Sequence, residues 1–404
     1  MNDDNRTALP DSDQDRIFTR RFIGVALINF LTFFAFNMTT TGLPVYLSTV
    51  LGTSDIIAGL STTLITVTAI LIRPFSGIII GHVGRKNVLI ASIALIAVSM
   101  ISYGVFTIVM VILIWRLING IGWGLSTTVT HTIVADIVPK RRFAEAIGYF
   151  SLTISLAVAI APALSVALLQ HIGIIPVVVA ASIATIISLV ISIIMKDQEP
   201  PKSEGKKKFV LNDFIDIRAL LPSGMMFMIS CSYASVATFI AMHAMEVGVS
   251  NVYFYFIIYS VVTILSRPVI GRIIDRIGFF MPCILAALSV MVALMTIAFS
   301  TSVWVFCIGG IFGGLGIGTC MGAFQTMSVA AVAPERRSVA TSTFLTSIDG
   351  GFGLGALIGG IIANAIGYVY MYVAVAMLPL AVAIIITILG KKKIDIYRLP
   401  DNIS

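Results

Sequence analysis

Lysine and arginine are missing from one whole side of this chain. Twelve apolar segments can be traced along it, and the connections predicted on one side of them carry no positive residue. Of 26 lysines and arginines, 23 cluster at the other set of segment ends, and only Arg73, Arg116 and Arg267 fall inside apolar segments. Translocating positive charge is costly, so the basic ends are expected in the cytoplasm. Charge of either sign is scarce, at 11% of residues, where an average soluble domain carries about 25%. A soluble fold could not hide so much apolar surface; lipid can. The net charge of +7 is therefore an orientation signal, reinforced by anionic inner-leaflet lipids, and no nucleic-acid partner is expected. No G-x-x-x-x-G-K-[ST] loop is present, which excludes direct drive by ATP. No Ser/His/Asp or Cys/His constellation is visible, so no enzyme is expected. The four cysteines (Cys231, Cys283, Cys307 and Cys320) lie in apolar stretches without metal-type spacing and read as small core residues, with no metal site. The first residues are polar, with Asp3, Asp4, Asp11, Asp13 and Asp15, and lack the apolar core and cleavage site of a signal peptide.

What is present is apolar length. Hydrophobic residues make up 58% of the chain, and its mean hydropathy is +1.03. The pattern predicts an all-α membrane protein with twelve transmembrane helices. They fall near 21–50, 55–81, 87–107, 109–137, 142–170 and 173–196, then 219–247, 251–276, 280–300, 302–331, 338–366 and 368–390. This gives a tail over 1–20, a six-helix bundle over 21–196, a linker over 197–218, a second bundle over 219–390 and a tail over 391–404. The linker holds Lys202, Lys206, Lys207 and Lys208 beside Pro200, Pro201 and Gly205, and reads as a flexible or amphipathic inner-leaflet anchor. An even number of spans puts both termini in the cytoplasm.

The two halves repeat. Segment 70–86, I-L-I-R-P-F-S-G-I-I-I-G-H-V-G-R-K, matches segment 264–280, I-L-S-R-P-V-I-G-R-I-I-D-R-I-G-F-F, at eight of 17 positions and an offset of 194. A second match runs from Val134–Arg142 to Val329–Arg337 at an offset of 195. Two matches at nearly one offset argue duplication. A parallel six-plus-six repeat is the architecture of one large transporter class, with a midplane cavity between the halves.

Asp349 is the leading functional candidate. It lies about eleven residues into the eleventh predicted helix, so roughly 16 Å deep at 1.5 Å per residue. A lone carboxylate near the bilayer midplane can take up a proton from one side and release it to the other; the alternative is permanent bonding to a neighbouring helix. Arg73 and Arg267, at repeat-equivalent positions before a proline, are expected to pair with acids such as Asp136 or Glu145, or else to snorkel. His131 and His243 could face a cavity, although a lone His on an apolar helix is more often packed.

Gly77-x-x-x-Gly81-His82-x-Gly84-Arg85-Lys86 resembles the motif between helices two and three of the major facilitator superfamily, with Gly81 where an Asp is expected. Gly271-x-x-x-Asp275-Arg276-x-Gly278 keeps the acid but has Phe279 and Phe280 in place of the basic pair. The resemblance implies two pseudo-symmetric six-helix bundles and a cytoplasmic gate at these loops, with charges pairing across the halves and glycines allowing close helix approach. Alternatively, Arg85 and Lys86 are only topology anchors. Arg116-x-x-Asn119-Gly120 resembles the family's R-x-x-x-G motif, which implies a role for Arg116 in proton transfer; otherwise Arg116 snorkels to the outer surface. Ala157-x-x-x-Ala161-Pro162 keeps the proline and small residues of the antiporter motif but not its glycines. In the family fold the first, fourth, seventh and tenth helices line the cavity, which implies Asn29, Asn37, Thr40, His131, Tyr233, His243 and Gln325 as lining residues.

The expected function is proton-coupled efflux of drugs or small amphipathic metabolites by a monomer in a bacterial plasma membrane, resembling the drug:proton antiporters. No cofactor is expected beyond the proton gradient; the partners are a small-molecule substrate, protons and the lipid bilayer. A permease for a sugar, siderophore or other small metabolite stays open, as does a non-transporting membrane sensor or scaffold.

Overall fold

The computed structural model describes residues 17–138, 142–195, 216–333 and 336–397. Residues 1–16 of the expected tail, 197–215 of the expected linker and 398–404 lie outside the described residues, as does the side chain of Glu145. The helices are α1 (Arg20–Thr49), α2 (Asp55–Val83), α3 (Arg85–Val105), α4 (Val109–Ile137), α5 (Phe143–His171), α6 (Ile174–Ile194), α7 (Leu220–Glu246), α8 (Tyr253–Ile277), α9 (Phe280–Ala298), α10 (Val303–Ala330), α11 (Arg337–Ile366) and α12 (Tyr368–Ile394). They run from 19 to 30 residues, or roughly 28 to 45 Å at 1.5 Å per residue, enough for a hydrocarbon core of about 30 Å. Lipid offers no hydrogen bonds, so a helix, which satisfies its own backbone, is the form these apolar runs must take. Among the described residues, eleven helices are long and apolar enough to span. The twelfth, α8, is bent by 44° between Arg267 and Val269, where Pro268 supplies no backbone N–H.

Duplication is visible in the backbone. Gly84 (φ 88°) ends α2 and Gly278 (φ 86°) ends α8; Gly173 (φ 111°) and Gly367 (φ 90°) do the same for α5 and α11. Both pairs are 194 residues apart. Each turn needs a left-handed residue in a connection too short to avoid it, which is why a glycine stands there. The packing repeats too. In the first half α1 lies on α5 and α6, and α4 on α2 and α3; in the second, α7 lies on α11 and α12, and α10 on α8 and α9. Gly120 and Gly124 let α4 approach α2, and Gly314 and Gly318, 194 residues on, let α10 approach α8.

Two main seams join the halves, α2 against α11 and α5 against α8. Successive spans alternate in direction, so every helix end that bears Arg85, Arg218, Arg276, Arg337 or Lys391 falls on one face, the basic end. The outer surface is apolar: Ile175, Val179, Ile183, Val190 and Ile193 of α6 are exposed, as a helix facing acyl chains must be.

At the basic end, Asp216 accepts from the Arg218 backbone N–H at 3.0 Å and from Arg336 Nε at 2.5 Å, pinning the end of the linker to the start of α11. The chain after residue 390 is not a free tail as far as it is described. A left-handed Gly390 (φ 74°) turns α12, Ile394 is buried, and the Asp395 carboxylate accepts from the backbone N–H groups of Phe279 (2.8 Å) and Phe280 (3.0 Å). Those are orphan donors at the start of α9, and an acid there satisfies them and the helix dipole together.

Candidate functional site

The α2–α11 seam is closed along much of its length. At its non-basic end the Tyr368 hydroxyl donates to Asp55 Oδ1 at 2.9 Å. A Cβ on Gly59 would run into the Ala356 carbonyl, and one on Gly360 would come within 2.5 Å of the Asp55 carbonyl oxygen. Thr63 donates to the Gly353 carbonyl at 2.8 Å, and Thr66 fills the space that a side chain on Gly353 would need. The seam reaches Arg73 on α2 and Asp349 on α11. Arg73 donates to Asp349 Oδ2 from Nε at 3.1 Å and again from Nη2. The two side chains are 8% and 13% exposed.

Asp349 lies twelve residues from the basic end of α11, about 18 Å at 1.5 Å per residue. The carboxylate expected to stand alone is therefore ion-paired across the halves. Arg73 is joined to Asp349 and not to Asp136, because α2 packs on α11 along this stretch. Mutual neutralisation lets two charges persist where either alone would cost about 2.5–3.5 kcal/mol on insertion scales.

Beyond this pair, toward the basic end, the halves part. Gly77, Gly81 and Gly271 have nothing within 4 Å of where a Cβ would sit, so these motif glycines do not bring helices together here. Arg85 pairs with Asp136, joining α3 to α4 within one half and not across the two. Lys86 follows Arg85 on α3. Asp275 and Arg276 are exposed on the last turn of α8, and Gly278 makes the turn against Asp395. Of the motif charges expected at the gate, Arg85 is thus paired inside its own half.

Between the parted halves lies a cleft of about 310 Å³. His131 of α4, Ser151 of α5, Arg267 of α8, Gln325 of α10 and Phe344 of α11 line it, with Asp275 also on its wall. His131 donates from Nδ1 to the Thr127 carbonyl at 2.8 Å, which orients its ring. Of the seven residues expected around a cavity, His131 and Gln325 are on this lining. Asn29 is buried between helices and donates to Thr153 Oγ1 at 2.9 Å. Asn37 bonds its own helix at Phe33, and Thr40 is buried. Tyr233 stacks on Tyr259 with ring centroids 5.8 Å apart. His243 donates to the Ile297 carbonyl at 3.1 Å inside the second half, ringed by Phe306, Tyr368 and Tyr372. Asn29, Asn37 and the His243 Nε2 spend their polar groups on helix packing, whereas the Thr40 and Tyr233 hydroxyls are buried without a hydrogen-bond partner among the described residues.

Arg116 neither faces the cleft nor snorkels. It is fully buried in the first half, donates from Nη2 to the Thr39 carbonyl at 2.7 Å, and lies 5.1 Å from the Tyr103 ring centroid. Its Nε and Nη1 have no partner. A π face can hold a cation without a carboxylate.

Among the described residues, sequence reasoning missed three cross-half contacts: Asp55–Tyr368, Thr63–Gly353 and Ser260–Ala159. Ser260 donates to the Ala159 carbonyl at 2.9 Å in the α5–α8 seam. Positions 66 and 260, and 159 and 353, are each 194 apart, so the repeat offset carried the signal for that contact. No spacing signals Asp55–Tyr368, whose partners are 313 residues apart.

The chain is 23% identical over 335 residues to the staphylopine export protein of Staphylococcus aureus, covering 80% of this chain and 84% of that protein. It is 29% identical over 126 residues to the quinolone resistance protein NorA of Staphylococcus aureus, covering 31% and 32%. The fold matches a mutant of the nucleoside transporter NupG with a TM-score of 0.74 at 13% identity, over 92% of this chain and all of that one. Residues 25–295 and 220–396 match the Major Facilitator Superfamily, which spans both six-helix halves and the cleft between them; the chain belongs to that superfamily of multi-pass membrane transporters.

Proposed function

We propose that this chain is a monomeric secondary exporter that moves drugs or small amphipathic metabolites out of the cell in exchange for protons, by alternating access. The observation that carries the reading is the Arg73–Asp349 pair, an ion pair that joins the halves where the α2–α11 seam ends and the cleft begins. A proton and the Arg73 guanidinium compete for the same carboxylate. Protonating Asp349 removes the charge that holds α11 to α2, so proton uptake favours parting of that seam, and parting favours proton uptake by the same amount. With the basic end in the cytoplasm, the present state opens inward. A gradient supplies about 2.3 kcal/mol per charge per 100 mV, with no nucleotide needed. Export is supported by two relatives whose names describe export and drug resistance, and by the soft, largely apolar lining of the cleft.

The test is full-length protein in proteoliposomes loaded with a pH-sensitive dye, with a panel of amphipathic compounds. Protons moving opposite to the compound are the expected result. Protons moving with it would establish a permease, and neither movement would leave a sensor or scaffold.

A further inference from the structure

Arg73 and Arg267 are repeat mates, 194 residues apart, yet their surroundings differ. Arg73 has an acid. Arg267, among the described residues, makes no hydrogen bond or ion pair with any side chain, and it lines the cleft. Symmetry says where its acid would stand. The two seams superpose through one offset: Thr66 against Gly353 corresponds to Ser260 against Ala159. That offset places Ser155 of α5 where Asp349 stands on α11. Ser155 is buried, and its hydroxyl is engaged by its own helix, donating to the Ser151 carbonyl at 3.0 Å. The duplication has thus kept the cation and lost the counter-charge, at a point on the cleft wall. A fixed cation facing a cleft in an apolar bundle is a place for a counter-charge that arrives from outside.

We infer that Arg267 receives an acidic headgroup, and that the transported class is amphipathic carboxylic acids. This deepens the exporter reading and rests on it for the role of the cleft as the substrate's path. A guanidinium offers a planar fork that matches a carboxylate through two parallel hydrogen bonds. Ser266 and Gln325 add hydrogen-bonding groups on the lining, and Ile154, Ile270 and Phe344 offer apolar surface for the body of the molecule.

The experiment is calorimetric binding to purified full-length protein without any pH gradient, using matched acid, amide and amine on naphthalene, indole and decyl scaffolds. In at least one set the acid should bind at least tenfold tighter than both its amide and its amine. Arg267→Gln should erase that preference and Arg267→Lys should keep part of it. Ser155→Asp should erase it with Arg267 intact, because it restores the internal acid; this variant decides the matter if Arg267→Gln fails to elute as a folded species. Absence of an acid preference in all three sets overturns the inference, as does a preference that survives Ser155→Asp. Binding is read without a gradient, so an acid preference without proton exchange in liposomes would sink the antiport reading alone. Proton exchange without an acid preference would sink this one alone.

Discussion

Asp349→Asn separates the charge at the Arg73 pair from its geometry. Deleting one partner of a buried ion pair costs about 3–5 kcal/mol, because the other charge is stranded. An amide of the same shape still accepts one hydrogen bond from Arg73, which returns about 1 kcal/mol. The α2–α11 seam should therefore weaken by about 2–4 kcal/mol, and states with the seam parted should gain roughly 30- to 700-fold at 1.4 kcal/mol per decade. Two readouts follow. Amide hydrogen exchange along Asp55–Arg73 and Asp349–Ile366 should accelerate. Gradient-driven movement in proteoliposomes should be abolished, with membrane insertion intact. The double variant Arg73→Gln/Asp349→Asn sharpens the logic. It removes the stranded cation, so exchange should slow toward the wild type while coupling stays lost, since nothing at the site titrates. Wild-type coupling in Asp349→Asn would remove this carboxyl from the mechanism. Unchanged exchange in α2 and α11 would show that the pair does not latch the seam.

Other consequences are as direct. Gly59→Val drives a side chain into the Ala356 carbonyl and should weaken the seam by about 1–3 kcal/mol of overpacking. Gly77→Val, with open space around it, should change thermal stability by less than about 0.5 kcal/mol; equal effects of the two would refute the closed-and-open account of α2. Tyr368→Phe removes the 2.9 Å bond to Asp55 and should speed exchange in the first turn of α2 about fivefold, from a loss of about 1 kcal/mol. Asp216 is held below the ordinary aspartate range, first by the Arg218 backbone N–H and then by the Arg336 guanidinium. Its contribution to stability is complete above the unfolded-state value and is lost as pH falls through the lower folded-state value. Asp216→Asn should thus lower the melting temperature at pH 7 and show a smaller further drop between pH 5 and pH 3 than the wild type. Parallel acid sensitivity would refute the pairing.

Much of the architecture was legible residue by residue. An apolar run of 19 or more residues must become a helix in lipid, and a cluster of lysines resists translocation. These are local preferences, and the predicted spans differ from the observed helices by only a few residues at most ends. The offset of 194 likewise survives from sequence to packing, because duplicated helices keep duplicated neighbours. The site was legible only in part. Asp349, Arg73 and Arg267 stand out as ionisable residues in apolar segments, since lipid makes each of them costly.

Which of them meet depends on how helices 276 residues apart in register are rotated and which lies beside which, and no spacing in the chain encodes that. The tertiary structure alone joined Arg73 to Asp349, left Arg267 facing a cleft, and turned Arg116 inward onto Tyr103. Long-range electrostatics is settled by the assembled bundle, whereas burial in lipid and helix formation are settled by each segment's own composition.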